Sequence, residues 1–389
     1  MKKSGTGFII FIAAAAALGG FLFGFDTAVI SGAVLALRKY FDATALQIGL
    51  AVSLALIGSA GGALSTGGLA NRIGRVKTMW VAAALFFASA LGSGLPFGLL
   101  DFIFWRMVGG VAVGMASVVA PAYIAEIAPA NIRGRLGSLQ QFAIVIGIFI
   151  AGLSAYGIAS VGGGAEYPAW FGKEGWRWMF WSEAPVALLY GLFALFLPES
   201  PRYLAASNRD EEAAAIFEKI MGSPEAAKQK VAEIKASLNT EHKPKFSDVF
   251  GKYGLLPIVW IGLGLSVLQQ FVGINVIFYY GTALWRVVGF AEGDALLITV
   301  ITGIVNIVTT IIAIIFVDRI GRKPLLMVGS TGMALALGML TFMFVTAETN
   351  PATGQPVIEG TAGIISLISA NLYVFFFGLS WGPIIWVML

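Results

Sequence analysis

The sequence predicts an all-α integral membrane protein built as two six-helix repeats, the second expected to be truncated after its fourth helix. Three observations carry this. Hydrophobic residues fill 58% of the 389 positions and charged residues only 12%, where soluble domains run at roughly 45–50% and about 25%. Apolar runs long enough to cross a bilayer recur along the chain. A loop motif, Asn71-Arg-Ile-Gly-Arg75, returns as Asp318-Arg-Ile-Gly-Arg322.

A membrane-crossing helix needs about 20 mostly apolar residues. Ten segments approach or exceed that length, the third being short: Phe8–Ile30, Ile48–Ala70, Met79–Gly94, Phe97–Ala120, Leu139–Ser160, Met179–Leu197, Leu255–Leu284, Ala295–Val317, Leu325–Thr346 and Ala362–Leu389. Lys2 and Lys3, with Ala13–Ala17 behind them, have the look of a signal peptide and its cleavage site. The apolar run continues far past that point, so it reads as a retained span.

Orientation follows from the basic residues of the short loops. With the N-terminus in the cytoplasm, 19 of the 25 Lys and Arg residues fall in inside segments. Arg38, Lys39, Lys173, Arg177 and Arg286 fall outside, and Arg106 lies within a span. The bias places the N-terminus inside in a multi-pass protein of the cell membrane. A long polar stretch, 198–252, divides the chain into an N-terminal half (1–197) and a C-terminal half (253–389, four helices). Asn208–Met221 reads as an amphipathic helix with Ile216, Phe217 and Ile220 on one side, and Val231–Leu238 as a second. Together they predict a packed cytoplasmic lid rather than a bare tether.

The repeated loop motifs lie 247 residues apart, and Asp26 and Asn275 lie 249 apart within a second echo, Gly24-Phe-Asp26 and Gly273-Ile-Asn275. A near-constant offset marks a duplicated half. Parallel repeats of this kind build transporters whose site lies between the halves near mid-membrane. By the same pairing, the tenth span matches the fourth, which exits through Glu126 and Arg133-Gly-Arg135. The chain stops where the matching loop is expected, which is the ground for expecting a truncated second repeat.

Absent residue types narrow the chemistry. There is no cysteine, and the one histidine, His242, sits in the polar linker. Disulfides, thiolate catalysis, Cys-based metal sites and a His-dependent active site are thereby excluded. No cofactor, metal or nucleic-acid partner is expected, and no nucleophile–base pair of an intramembrane enzyme is visible.

Several stretches are specific as an ordered set: Gly19-Gly-Phe-Leu-Phe-Gly-Phe-Asp-Thr-Ala-Val-Ile-Ser-Gly32, the two Arg-Ile-Gly-Arg loops, Glu126-Ile-Ala-Pro with Arg133-Gly-Arg135, Pro198-Glu-Ser-Pro-Arg202, Gln269-Gln-Phe-Val-Gly-Ile-Asn-Val-Ile-Phe-Tyr-Tyr280 and Trp381-Gly-Pro-Ile-Ile-Trp386. On these the chain resembles the sugar porters of the major facilitator superfamily, especially bacterial proton-coupled xylose and related monosaccharide transporters. Asn71 departs from the family pattern, which has Asp there. The resemblance implies a major facilitator fold, with a monosaccharide and protons as partners in the lipid bilayer. It implies symport by alternating access; a sugar or polyol uniporter and a non-transporting sugar sensor are the alternatives.

A neutral sugar offers hydroxyls and apolar C–H faces, which amides and aromatic rings match. The spans supply Gln141, Gln269, Gln270, Asn275, Tyr279, Tyr280, Asn306 and Trp386, with Trp381 beside them. The resemblance aligns the set with sugar-contacting positions. Thr299, Thr302, Asn306 and Thr309 form one stripe of a helix. Gln270 and Asn275 diverge on a straight helix, but a break at Gly273 would turn both to one cavity. Gly382-Pro383 predicts a second kink. Trp170 and Trp176, near loops, read as interface anchors.

Asp26 and Arg106 are ionisable groups inside apolar runs, which marks them as functional and as a pair. The resemblance makes the aspartate the proton-coupling acid, and Glu183 is an auxiliary acid. On the cytoplasmic loops Arg72, Arg75, Glu126, Arg133, Arg135, Glu199, Asp318, Arg319 and Arg322 predict a charged gate.

Overall fold

The computed structural model describes residues 3–129, 132–240, 249–251, 254–349, 356–358 and 360–388. The first half holds α1 (Lys3–Tyr40), α2 (Ala45–Ile73), α3 (Arg75–Gly94), α4 (Leu99–Ile127), α5 (Arg133–Gly162), α6 (Gly175–Trp181) and α7 (Ala184–Phe196). The linker folds as α8 (Pro201–Ala206), α9 (Asp210–Met221) and α10 (Pro224–Thr240). The second half holds α11 (Pro257–Phe271), α12 (Ile274–Val287), α13 (Glu292–Ile320), α14 (Arg322–Thr346), α15 (Gly360–Leu379) and α16 (Trp381–Met388). Among the described residues ten segments are long and apolar enough to span a bilayer, with α6–α7, α11–α12 and α15–α16 each forming one span. Two antiparallel hairpins of two-residue strands complete the regular structure among the described residues.

Several helices overrun the apolar runs. α1 continues ten residues past Ile30 and ends on Arg38 and Lys39, cations that favour the negative end of a helix dipole. α2 starts at a capping box in which the Thr44 hydroxyl accepts from the Gln47 amide and the Gln47 side chain accepts from the Thr44 amide. The linker carries one helix more than anticipated: α8 begins with Pro201 after Ser200, whose hydroxyl accepts from the Tyr203 amide. Phe217 and Ile220 of α9 and Ala227 and Val231 of α10 share one apolar cluster with Ile9 and Ile12 of α1 and Ile127 of α4. The linker is thus a packed cap. Its face of the molecule is called the linker face below, and the opposite one, carrying the 163–174 connection, the hairpin face.

The two repeated loops have the same backbone. Gly74 sits at φ 97°, ψ 167° and Gly321 at φ 88°, ψ 162°. Only glycine takes such angles readily, which explains why the motif keeps it in both halves.

Apolar surface gains nothing by leaving lipid for another helix, so close packing does the work. Gly58 and Gly62 of α2 face the backbone of α4 at Met107 and Val111, while Gly110 and Gly114 of α4 face that of α2 at Ala55 and Ser59. A Cβ on any of the four would lie under 3.0 Å from a backbone carbonyl oxygen. Gly110→Ala is expected to cost about 1–3 kcal/mol through overpacking, read as a lower thermal unfolding midpoint in detergent. Gly157→Ala, where a Cβ meets open space, should leave the midpoint unchanged or raise it.

Candidate functional site

Asp26 of α1 and Arg106 of α4 meet as anticipated. Arg106 Nη1 donates to Asp26 Oδ1 at 2.5 Å and Nη2 to Oδ2 at 3.1 Å. The aspartate is 3% exposed and the arginine 2%. Gly109 makes room for the carboxylate, since a Cβ there would stand 3.2 Å from Oδ1. The guanidinium also lies 5.7 Å from the centre of the Phe180 ring. Glu183, at the break between α6 and α7, is 1% exposed and feels the charges of both Asp26 and Arg106. Neither of its oxygens has a hydrogen-bond partner among the described residues.

The second half approaches this pair through α12. Tyr279 packs against the apolar cluster that Phe25, Ala28 and Val29 of α1 share with Ile274 and Phe278 of α12, and lies within electrostatic reach of Asp26 and Arg106. α12 exists as a separate element because the span breaks at Gly273, which takes φ 88°. The break joins three amides: Gln270 Nε2 donates to Gln269 Oε1 at 2.8 Å, and Asn275 Nδ2 donates to Gln270 Oε1 at 3.0 Å. Gln270 is exposed and Gln269, Asn275, Tyr279 and Tyr280 are half-buried. The chain of amides thus faces open space with spare donors and acceptors. Tyr373 of α15, which the sequence reading passed over, holds the break: its hydroxyl donates to the freed Val272 carbonyl at 2.6 Å. A tyrosine in an apolar span was the available signal.

Other expected residues fall elsewhere. Gln141 of α5 is 6% exposed and faces the second half at Gly382, where a Cβ would come 3.4 Å from Nε2. Asn306, 1% exposed, does not join the amide chain in the described contacts. It packs against Gly378 of α15 with Thr309, while Thr302 bonds Asn371 at 3.1 Å. Thr302 and Thr309 of the α13 stripe thus meet α15, whereas Thr299 faces Gly281 and Gly152, and Asn306 Oδ1 has no hydrogen-bond partner among the described residues. The second kink comes at Ser380, between α15 and α16, and Pro383 lies in the first turn of α16. Trp381 donates to Ser330 at 2.8 Å. Trp176 is no interface anchor: it is fully buried, 4.3 Å from the Arg177 guanidinium. Arg177 itself is buried, donating to Glu174, the Gly94 carbonyl and the Tyr40 hydroxyl. His242 and the side chains of Trp386, Arg133, Arg135 and Asp318 lie outside the described residues.

On the linker face the charges form a first-half assembly. Arg75 clasps Glu126 with two bonds of 3.0 and 2.8 Å. Glu199 differs from the expectation of an ion pair: it accepts from the backbone amides of Arg75 (2.9 Å), Val76 and Ser200 (2.8 Å). A carboxylate at the positive end of α3 is well placed. Arg72, Arg319 and Arg322 are exposed and make no ion pair among the described residues. Polar contacts between the halves among the described residues include Ser31 with Thr282 at 3.3 Å.

Two helical halves around a central buried ion pair and an amide-lined break define a membrane transporter of the major facilitator fold. The profile described as "Sugar (and other) transporter" matches residues 12–389, and the chain belongs to that family, the sugar porters of the superfamily. It is 60% identical over 384 residues to the glucose transport protein of Synechocystis sp., covering 98% of this chain and 81% of that one. It is 40% identical over 410 residues to the D-xylose-proton symporter of Escherichia coli K12, covering 99% and 79%. Among solved structures, the partially occluded inward-open form of the E. coli xylose transporter matches with a TM-score of 0.83 at 38% identity, over 98% of this chain and 84% of that one. The proton:xylose symporter bound to 6-bromo-6-deoxy-D-glucose matches with the same score and identity, over 98% and 82%. The chain is a sugar transporter, not an enzyme.

Tyr373→Phe removes one hydroxyl and leaves the Val272 carbonyl without its donor. A loss of about 1 kcal/mol is expected, read as a lower unfolding midpoint. An unchanged midpoint would mean that the break is held by other contacts.

Proposed function

We propose that this chain moves a monosaccharide, a pentose or hexose, together with protons across the cell membrane by alternating access, with its N-terminus in the cytoplasm. Tyr279 carries the reading. It sits on α12, the helix that bears Asn275, packs against the apolar cluster that includes Phe25 and Ala28 of α1, and lies within electrostatic reach of Asp26. A change of charge at Asp26 then acts directly on a sugar-binding helix. Relatives and solved neighbours named as glucose and xylose transporters support the substrate class. Glucose is the first sugar to test and xylose the second.

In this reading Gln269, Gln270, Asn275, Tyr279, Tyr280 and Gln141 line the site, with Trp386, and Asn306 shapes its wall from behind. A sugar hydroxyl replaces the internal amide bonds, which are already paired and so exchange partners rather than gaining them. Proton uptake at Asp26 cancels one charge of the buried pair, and Arg106 is then held only by neutral acceptors. Glu183 is the second acid of the relay. The halves, 1–197 and 253–389, rock about the site while the linker and the Arg75–Glu126–Glu199 assembly brace the linker face.

Counterflow of labelled sugar in liposomes, with and without a pH gradient, tests the whole scheme. Saturable exchange without gradient-driven accumulation would leave a uniporter. Asp26→Asn keeps size and hydrogen bonding but carries no exchangeable charge. It is expected to abolish uphill accumulation while exchange persists in part; full accumulation by the variant would remove Asp26 from the proton path. Gln270→Ala is expected to weaken sugar binding by about 1–3 kcal/mol through an unpaired hydroxyl, measured by calorimetry, with little change in thermal stability because the side chain is exposed.

A further inference from the structure

We infer that Glu292 is the latch of the hairpin-face seam: a carboxylate carried by the second half grips the 163–174 connection of the first and sets how readily the central site opens to the outside. The inference rests on the alternating-access reading above, and on the orientation that puts the hairpin face outside.

Glu292 opens α13 and is half-buried. Its Oε1 accepts from the backbone amide of Ala165 at 2.9 Å, across the two halves. Its Oε2 lies over Gly164, where a Cβ would come within 3.0 Å of it. The receiving loop is fixed within its own half. The Trp176 amide donates to the Ala165 carbonyl, the Gly175 amide to the Tyr167 carbonyl and the Ala169 amide to the Lys173 carbonyl, each at 2.9 Å. Ala165 is 2% exposed. Its carbonyl is thus used inside the first half while its amide is committed to the second.

Deeper in the seam the contacts are neutral. The Thr282 amide donates to the Ser31 hydroxyl at 3.2 Å. Thr299 stands opposite Gly281 and Gly152, and Leu296 opposite Gly32. The neighbouring ion pair, Lys39 with Glu166 at 2.9 Å, joins residues of the first half only. Glu292 therefore makes the one charge-assisted bond across the seam among the described residues. Such bonds are roughly twice as strong as neutral ones. Outward opening requires that bond to break, and no residue of the first half has to be rebuilt when it does.

The chain has no cysteine, so Thr299→Cys places a single thiol at the centre of the seam. Its labelling by a membrane-impermeant maleimide from the outside of sealed vesicles reads outward opening directly. Adding Glu292→Ala is expected to raise that rate by about tenfold, the lower end for a charged hydrogen bond that water can reach. Glu292→Gln keeps an acceptor oxygen in place and is expected to stay within about threefold of the parent. Ala70→Cys, buried at the linker-face end of α2, is the control and should label at an unchanged rate. No change at Thr299→Cys on removing Glu292, or a rise at both thiols, would overturn the latch. Labelling needs no sugar. A parent chain that takes up neither glucose nor xylose would count against the transport reading and leave the labelling comparison standing.

Discussion

Hydrocarbon offers no hydrogen-bond partner, so every buried polar group in this chain must find one in the protein. That constraint organises the interior. Thr66 and Thr78 return their hydroxyls to backbone carbonyls one turn back, at Gly62 and Gly74. Arg106 spends two of its nitrogens on one aspartate. Where a helix breaks, a side chain from another helix covers the loose carbonyl, as Tyr373 does for Val272. Several buried groups meet no partner among the described residues, Gln140 and Arg106 Nε among them, and Glu183 beside the ion pair has two such oxygens. An acid has a way to satisfy the constraint that an amide lacks, because it can take up a proton. Its place next to Asp26 and Arg106 is where such a response has consequences.

The same constraint bears on the two repeated loops. Gly74 and Gly321 bend the chain identically, yet their surroundings differ. The first loop receives Glu199, whose carboxylate covers the opening amides of α3, and the Arg75–Glu126 clasp beside it. The second exposes Arg319 and Arg322. Duplication has kept the backbone turn, which only glycine makes cheaply, while among the described residues the charged contacts gather at the first loop, with the linker helices packed behind it.

Much of this was legible in the residues. Spans announce themselves by length and hydropathy, and charge inside a span is so costly that Asp26 and Arg106 could be paired before any coordinates. The break at Gly273 was legible because Gln270 and Asn275 make no joint sense on a straight helix. Other features depend on what lies across a gap, which spacing along one helix does not reveal. The stripe of Thr299, Thr302, Asn306 and Thr309 has the same pattern whether it faces a cavity or another helix, and its members divide: Thr309 meets Gly378 of α15 while Thr299 stands toward Gly281 and Gly152. Trp176 and Trp170 are alike in sequence position, but only one is buried by Arg177 and Tyr40. Pro383 misdirected the kink by a few residues because proline is tolerated in a first helical turn. Glu199 reads as half of an ion pair until the amides of α3 are seen to point at it.

The glycines also separate what is rigid from what slides. Within the first half, a Cβ on Gly24, Gly58, Gly62, Gly110, Gly114 or Gly147 would collide with the backbone of the neighbouring helix, under 3.0 Å from a carbonyl oxygen. These contacts are backbone against backbone, and a shift along them would open voids that the lipid cannot fill. Across the seam the approach is looser. A Cβ on Gly281 would stand 3.6 Å from Ser31, on Gly152 3.7 Å from Thr299, and on Gly382 3.4 Å from Gln141; Gly303, at 3.1 Å from Phe149, and Gly164, at 3.0 Å from Glu292, are tighter. Apart from the Phe149 backbone at Gly303, side chains meet at these points, and side chains can rotate. A transporter that exposes one site to two sides needs two arrangements of similar free energy. Helices locked by backbone contact inside a half, against a seam of ordinary van der Waals distance and few polar bonds, place the motion between the halves. In the proposed scheme it passes through Tyr279 and the Asp26–Arg106 pair, where the seam lies nearest the buried charge.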